Sequence, residues 1–287
     1  MNTDIIARIR AAQGDFSRSQ RVIAAYISEH YDKAAFMTAK KLGGVVGVSE
    51  STVVRFAMKL GYDGYPALQT GLQDMIRNRL TAVQRLEVTS TKLSDRNILH
   101  AVMTDDMEKI AATLASVDQD AFNNAVRETI AARRVYILGM RSSAGLASFL
   151  GFYFQLIFEN VRIITTNSAN ELYEQLFHVG EGDIVYGISF PRYSRGTVRA
   201  LKFVKSRGAH VVAVTDSSRS PIAEYADYAL YARSDMASFV DSLVAPLSLF
   251  NALIIAVGMR KKEDVTRIFS QLEHIWDEYG VYERNPE

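Results

Sequence analysis

The sequence predicts an α + α/β chain: an all-helical N-terminal domain, then a five-stranded parallel sheet covered by helices. Three observations carry that prediction. Apolar residues in the first eighty positions recur at helical spacing. From Arg134 onward, short β-rich runs that are nearly continuous in apolar residues alternate with helical stretches, as strands buried on both faces do. Between these halves, residues 81–94 are polar and rich in Thr and Ser, and read as a connector.

Taken in order, Ser17 to Gln20 has the spacing of a capping box. It opens a helix whose predicted inner face is Val22, Ile23, Tyr26, Ile27 and His30. The stretch Met37–Tyr62 then reads as two short helices joined by a tight turn. Gly47 sits where the first must stop, since glycine enters the left-handed conformation without a Cβ clash. Val48 is placed to plug the corner, and Ser49 to cap the second helix. In that helix Val53, Phe56, Ala57 and Leu60 recur at i, i+3, i+4 and i+7 and predict a buried face. The opposite side carries Ser51, Thr52, Arg55 and Lys59. Short polar groups near the start and cations further along suit a helix that reads base edges and grips phosphates, so a DNA-binding helix-turn-helix is expected, with Ser49, Ser51, Thr52, Arg55 and Lys59 at the interface. An ordinary helical hairpin with a solvated outer face has the same local pattern. A further helix is predicted after Pro66 through Leu68, Leu72, Met75, Ile76 and Leu80. Ser94 is a candidate cap for a helix carrying Ile98, Val102, Met107, Ile110 and Leu114, and another helix is predicted over 119–133.

In the second half the strands are predicted at 134–139, 161–166, 183–190, 210–216 and 228–233. Helices fill the intervals, with a short one from Ser220, and two long helices over 239–258 and 263–279 close the chain. Helical crossovers between such strands make the sheet Rossmann-like, of the flavodoxin type.

Composition narrows the function. The 287 residues carry a net charge of +1, but residues 1–80 hold +4 and the rest −3. The basic excess therefore lies with the helix-turn-helix. With no cysteine there is no disulfide, thiolate metal site or cysteine nucleophile, as in proteins of a reducing cytoplasm. His30, His100, His178, His210 and His274 show no metal-ligand spacing. No metal and no cofactor is expected. Neither a signal peptide nor an apolar run long enough to span a membrane is visible, so a cytoplasmic protein without a membrane partner is expected.

Ligands of open parallel sheets bind beyond the carboxyl ends of the strands. Two such ends are rich in polar and cationic groups. The first, after strand one, offers Arg141, Ser142 and Ser143 at a helix start, where free N–H groups and the helix dipole favour anions. The second, after strand three, offers Ser189, Arg192, Tyr193, Ser194 and Thr197. Either loop alone could be helix caps and solvated arginines; together they predict an anionic ligand site. Dinucleotide and nucleoside-triphosphate fingerprints are absent.

With both halves in view, the chain resembles the RpiR/MurR family of bacterial transcription regulators, which join a helix-turn-helix to a sugar isomerase (SIS) domain. The resemblance rests on Gly47–Leu68 and Phe16–Ile27 in the first half, and on Gly182–Phe190, Arg207–Asp216 and Ser220–Asp227 in the second. It implies a helix-turn-helix domain over 1–80, a linker and connecting helix over 81–118, and a ligand-sensing, dimerising SIS domain over 119–287. It further implies control of carbohydrate catabolism genes by an anionic sugar-derived effector, a phosphosugar or sugar acid. The partners expected are double-stranded operator DNA and further copies of the chain, as homodimer or tetramer. Two loops depart from the family pattern. Where an SIS phosphate loop reads S-x-S-G-x-T, Ser194 and Thr197 keep the last Ser and Thr, but the glycine has moved to Gly196 with Arg195 in its place. Where the first loop reads G-x-G-x-S, Ser143 matches and Arg141 replaces the second glycine. The alternative is a sugar-phosphate isomerase, whose base would come from Glu171, Glu174 or His178 on the helix after strand two. A purely structural protein is a third, weaker reading.

Overall fold

A computed structural model describes residues 5–77, 83, 85–86, 97–234 and 240–283. The predicted connector falls mostly outside these residues, as do Leu80 and the Ser94 cap. The chain divides into two compact units, residues 1–99 with 236–240, and residues 100–235 with 241–287.

In the first unit every regular element among the described residues is helical. They are α1 (Ile5–Ala11), α2 (Arg18–Glu29), α3 (Tyr31–Ala34), α4 (Ala39–Val46), α5 (Glu50–Lys59) and α6 (Tyr65–Arg77). The capping box forms: Ser17 accepts from the Gln20 N–H, and the Gln20 side chain accepts from the Ser17 N–H. Of the predicted inner face of α2, Ile23 and Ile27 are buried and Tyr26 packs against the core, while Val22 stays 45% exposed. Ala24 takes the inner position, and a rotation of about 100° per residue carries Val22 to the rim. His30 ends α2 as its C-cap. Helix α6 fastens the α3–α4 junction. Its Gln69 and Gln73 amides donate to the carbonyls of Met37 and Ala35, and the Tyr65 hydroxyl donates to those of Met37 and Ala34. The Ala35 and Met37 carbonyls lie in the short gap between α3 and α4, where no helical partner is available. Burial pushes the Tyr65 phenol up to about 12.

The second unit begins with α7 (Ile98–Ser116) and α8 (Gln119–Ala131). The strands are β1 (Arg134–Gly139), β2 (Val161–Ile164), β3 (Asp183–Ile188), β4 (His210–Thr215) and β5 (Tyr228–Tyr231). They pair in the order β2-β1-β3-β4-β5, every pairing parallel. Between them run α9 (Ser143–Ile157), α10 (Ala169–Gln175) and α11 (Arg195–Ser206); α12 (Val244–Arg260) and α13 (Lys262–Glu278) follow. Alternate strand residues feed two cores. Val135, Ile137, Ile184 and Tyr186 pack with α8, α9 and α12, while Tyr136, Leu138, Val185 and Val211 pack with α10 and α11. Elements end where their hydrogen bonding ends, so several are shorter than predicted. The turn from Ser220 forms only a 3-10 turn, Ala223–Tyr225.

Helix α7 departs from its predicted pattern. The apolar residues Ile98, Met107, Ile110 and Leu114 are 36–75% exposed, and the buried positions are Lys109 and Thr113. Lys109 tolerates burial because Asp105 and Asp106, one turn back, neutralise its ammonium. Thr113 accepts from the Arg233 N–H, and Asp106 accepts from the Ser242 hydroxyl at 2.6 Å.

Candidate functional site

The turn between α4 and α5 is built as its residues dictate. Thr38 caps α4 by accepting from the Lys41 N–H. Gly47 closes α4 at φ 70°, the left-handed conformation that glycine enters most freely. Val48 is half-buried against the helical core, and Ser49 caps α5 through the Thr52 N–H. Val53, Phe56 and Ala57 are fully buried and Leu60 nearly so, which turns Ser51, Arg55 and Lys59 outward. Among the outward groups the hydroxyls are linked: Ser49 Oγ lies 3.0 Å from Ser51 Oγ and 2.8 Å from Thr52 Oγ1. Arg55 Nη2 reaches Thr52 Oγ1 at 3.5 Å, the limit of a hydrogen bond. Lys59 bends back onto its own unit, donating to the Asp15 carbonyl with its ammonium 5.9 Å from the centre of the Phe16 ring. Arg55 is thus the extended cation of this face, whereas Lys59 is committed to an internal contact.

The second site lies at the carboxyl edge of the sheet, where the order reverses between β1 and β3. Gly139 is paired with Ile188 across that seam, so the two loops leave the sheet side by side. They touch: Ser194 Oγ lies 3.2 Å from Met140 Sδ. The displaced glycine has its reason here. A Cβ on Gly196 would stand 2.7 Å from the same sulfur, so a side chain at 196 would displace Met140. Ser194 caps α11 by accepting from the Thr197 N–H, and its own N–H donates to Ser189 Oγ. Thr197 is fully buried, and its hydroxyl has no hydrogen-bond partner among the described residues. A buried hydroxyl left unpaired is costly unless something else occupies it.

Two backbone positions stand out. Arg141 at φ 55° and Arg192 at φ 67° are the non-glycine residues of positive φ among those described, one in each loop. Strain of this kind collects at ligand sites. Arg141 keeps the left-handed backbone that glycine adopts more readily, and its side chain is exposed beside exposed Ser142 and buried Ser143. Tyr193 is held by its hydroxyl, which donates to Asp216 at the end of β4. The Asp216 carboxylate is also reached by the Thr215 and Ser217 hydroxyls. Thr215 Oγ1 also lies 2.7 Å from the Ser189 carbonyl and 2.7 Å from Ser220 Oγ. Met140, Thr215, Asp216 and Ser220 stand beside these candidates and were not singled out in the sequence. The adjacency of β1 and of β4 to β3, which only strand order reveals, brings them there.

The opposite edge of the sheet is structural. Asp183 is fully buried at the start of β3 and accepts from Arg133, Arg134 and the Gly180 N–H. Burial alone would raise its pKa, but the Arg134 and Arg133 hydrogen bonds outweigh it and hold the carboxyl below the ordinary range. The His178 carbonyl accepts from Arg134, the first residue of β1, so His178 sits at this amino edge. A six-residue strand, on the order of 16 Å long, separates it from the carboxyl-edge loops. Glu171 is occupied by the Thr166 hydroxyl and the Gln175 amide. Thr166 lies just past the carboxyl end of β2, so Glu171 and His178 stand at opposite edges of the sheet.

Comparison with known proteins fits this two-part build. The profile of the helix-turn-helix domain of the rpiR family matches residues 3–79, and that of the SIS domain matches residues 129–256. The chain thus joins an rpiR-family helix-turn-helix domain to an SIS domain. An HTH-type transcriptional regulator of Caldanaerobacter subterraneus is 24% identical over 95% of this chain and 97% of its own length. YfhH of Escherichia coli, also named as an HTH-type regulator, is 24% identical over 79% of this chain and 80% of its own. Among solved structures, the sugar isomerase domain of an RpiR transcription factor from Sphaerobacter thermophilus is 29% identical, with a TM-score of 0.60, over 62% of this chain and 99% of that one. The Vibrio vulnificus NanR protein, solved with ManNAc-6P, shares the fold at 19% identity, with a TM-score of 0.58, over 95% of this chain and 98% of that one. The chain is thus a transcriptional regulator of the helix-turn-helix–SIS kind. Among the described residues no single helix is long and apolar enough to cross a membrane.

Proposed function

We propose that this regulator binds operator DNA through α5 and is switched by an anionic, sugar-derived effector held at the β1 and β3 strand ends, a phosphosugar being the first candidate. The observation that carries the effector half is the Thr197 hydroxyl, fully buried and unpartnered, in the first turn of α11. Phosphate oxygens suit that hydroxyl and the first-turn amides, which lack intrahelical partners. Arg141, Ser142, Ser143, Ser189, Arg192, Tyr193 and Ser194 complete the candidate site. The NanR relative in complex with a phosphosugar supports the same ligand class.

On the DNA side, Ser51 and Thr52 face base edges and Arg55 a phosphate, with Ser49 capping the reading helix. Two copies, as a dimer or within a tetramer, occupy half-sites of a near-palindromic operator in the cytoplasm. The regulated genes belong to carbohydrate catabolism. Effector binding shifts operator affinity only by its differential affinity for the two arrangements of the reading heads.

The test pairs genomic selection of the operator with an effector screen. Sugar phosphates that raise the melting temperature of the protein should also change its affinity for the selected DNA. Removal of the Arg55 charge should weaken binding to all sequences and reduce the salt slope by about one unit. If no sugar phosphate or sugar acid changes operator binding, the effector reading is wrong. Turnover of sugar phosphates by the purified protein would instead favour an isomerase. The separation of His178 from the strand ends and the engagement of Glu171 argue against that outcome.

A further inference from the structure

The strand-end site contains more cationic capacity than one phosphate uses. On the α11 side, the unpaired Thr197 hydroxyl and the first-turn amides not taken by the Ser194 cap are donors suited to a phosphoryl group. Across the seam stands Arg141, next in sequence to Met140, whose sulfur touches Ser194. Arg141 is exposed, and its guanidinium makes no hydrogen bond or ion pair with any described residue. It holds φ 55°, a conformation in which a side chain adds strain that glycine avoids. A forked, permanently charged guanidinium at such a place has no role in folding, and its planar donors match a carboxylate in bidentate geometry.

We propose that the effector carries two anionic groups, a phosphate seated at the start of α11 and a carboxylate taken by Arg141: a phosphorylated sugar acid rather than a phosphosugar with a single charged end. The inference rests on the effector reading given under Proposed function and narrows its ligand class. Arg141 is then the residue that sets specificity, and Thr197 the one that serves every phosphorylated ligand.

Pairs made of a sugar phosphate and the acid formed by oxidising its C1 test this. Binding of glucose 6-phosphate and 6-phosphogluconate, and of the four- and five-carbon pairs of the same kind, is measured by calorimetry on the full chain, with gluconate as the ligand lacking phosphate. The wild type should prefer the acid of a binding pair by about tenfold or more, the weight of one charge-assisted hydrogen bond. Arg141→Gly keeps a left-handed backbone without strain; it should erase that preference and leave the affinity for the sugar phosphate unchanged. Thr197→Val should weaken both members alike. If Arg141→Gly weakens both members equally, Arg141 grips the phosphate and the proposal is overturned. It is equally overturned if the wild type binds the sugar phosphate as tightly as the acid. Failure of every pair to bind removes the phosphosugar reading itself, a different result from binding without preference. A circular-dichroism spectrum like that of the wild type verifies that Arg141→Gly is folded.

Discussion

The reading head and the strand-end loops present polar groups in opposite ways. In the head, Ser51, Thr52 and Arg55 stand on a regular helix, and the positive φ values fall on glycines, as at the turn, where Gly47 takes φ 70° at no steric cost. At the strand ends, Arg141 and Arg192 take similarly positive φ values with full side chains, and a threonine hydroxyl is buried without a partner. One surface is relaxed before it meets its partner. The other keeps local costs that the rest of the sheet must bear, as sites committed to a small ligand do. The lesson is that a groove reader needs a rigid rod with side chains outward, while an anion pocket needs backbone and hydroxyl groups held away from water.

Four variants break or sharpen this contrast. The largest effect belongs to the scaffold that carries the strained loops. Asp183→Asn removes the charge that Arg133 and Arg134 grip, and should cost about 2–3 kcal/mol, less than a fully buried pair because both arginines are partly exposed. Since the folded-state pKa of Asp183 is depressed, its contribution is fully present above the unfolded value of about 3.9. It is lost as pH falls through the folded value. Urea titrations of wild type and variant should therefore converge in strong acid; a gap that persists there contradicts the ion-pair account.

Gly47→Ala meets no atom within 4 Å, so its cost is backbone conformation alone, about 1–2 kcal/mol. Hydrogen exchange should quicken in α4 and α5, and an unchanged pattern would mean the turn is not under the constraint described. Thr197→Val should act in the opposite direction. Losing an unpaired buried hydroxyl should leave stability unchanged or raise it by up to about 1 kcal/mol, while effector binding weakens. A marked loss of stability would show that the hydroxyl has a structural partner. The smallest change is expected for Arg141→Gly, where relief of strain is offset by the greater chain entropy of glycine. A gain of roughly 0.5 kcal/mol should be readable as a small rise in the urea midpoint.

The sequence alone determined what is local. Gly47, Ser49 and the buried period of Val53, Phe56, Ala57 and Leu60 specify the turn and the outward face of α5, because capping, left-handed glycine and helical spacing act within a few residues. The near-continuous apolar strands likewise determined a parallel sheet, and the serines and arginines after β1 and β3 were visible as polar strand ends. Tertiary structure decided the rest. That Lys59 turns back to Asp15, that Met140 lies beneath Gly196, that Tyr193 is tied to Asp216 and that His178 belongs to the far edge all depend on residues distant in sequence. The same holds for α7, whose apolar stripe faces outward while Lys109 is buried. Periodicity reports that a helix has two faces; which face the core takes is set by the partners available to each side chain.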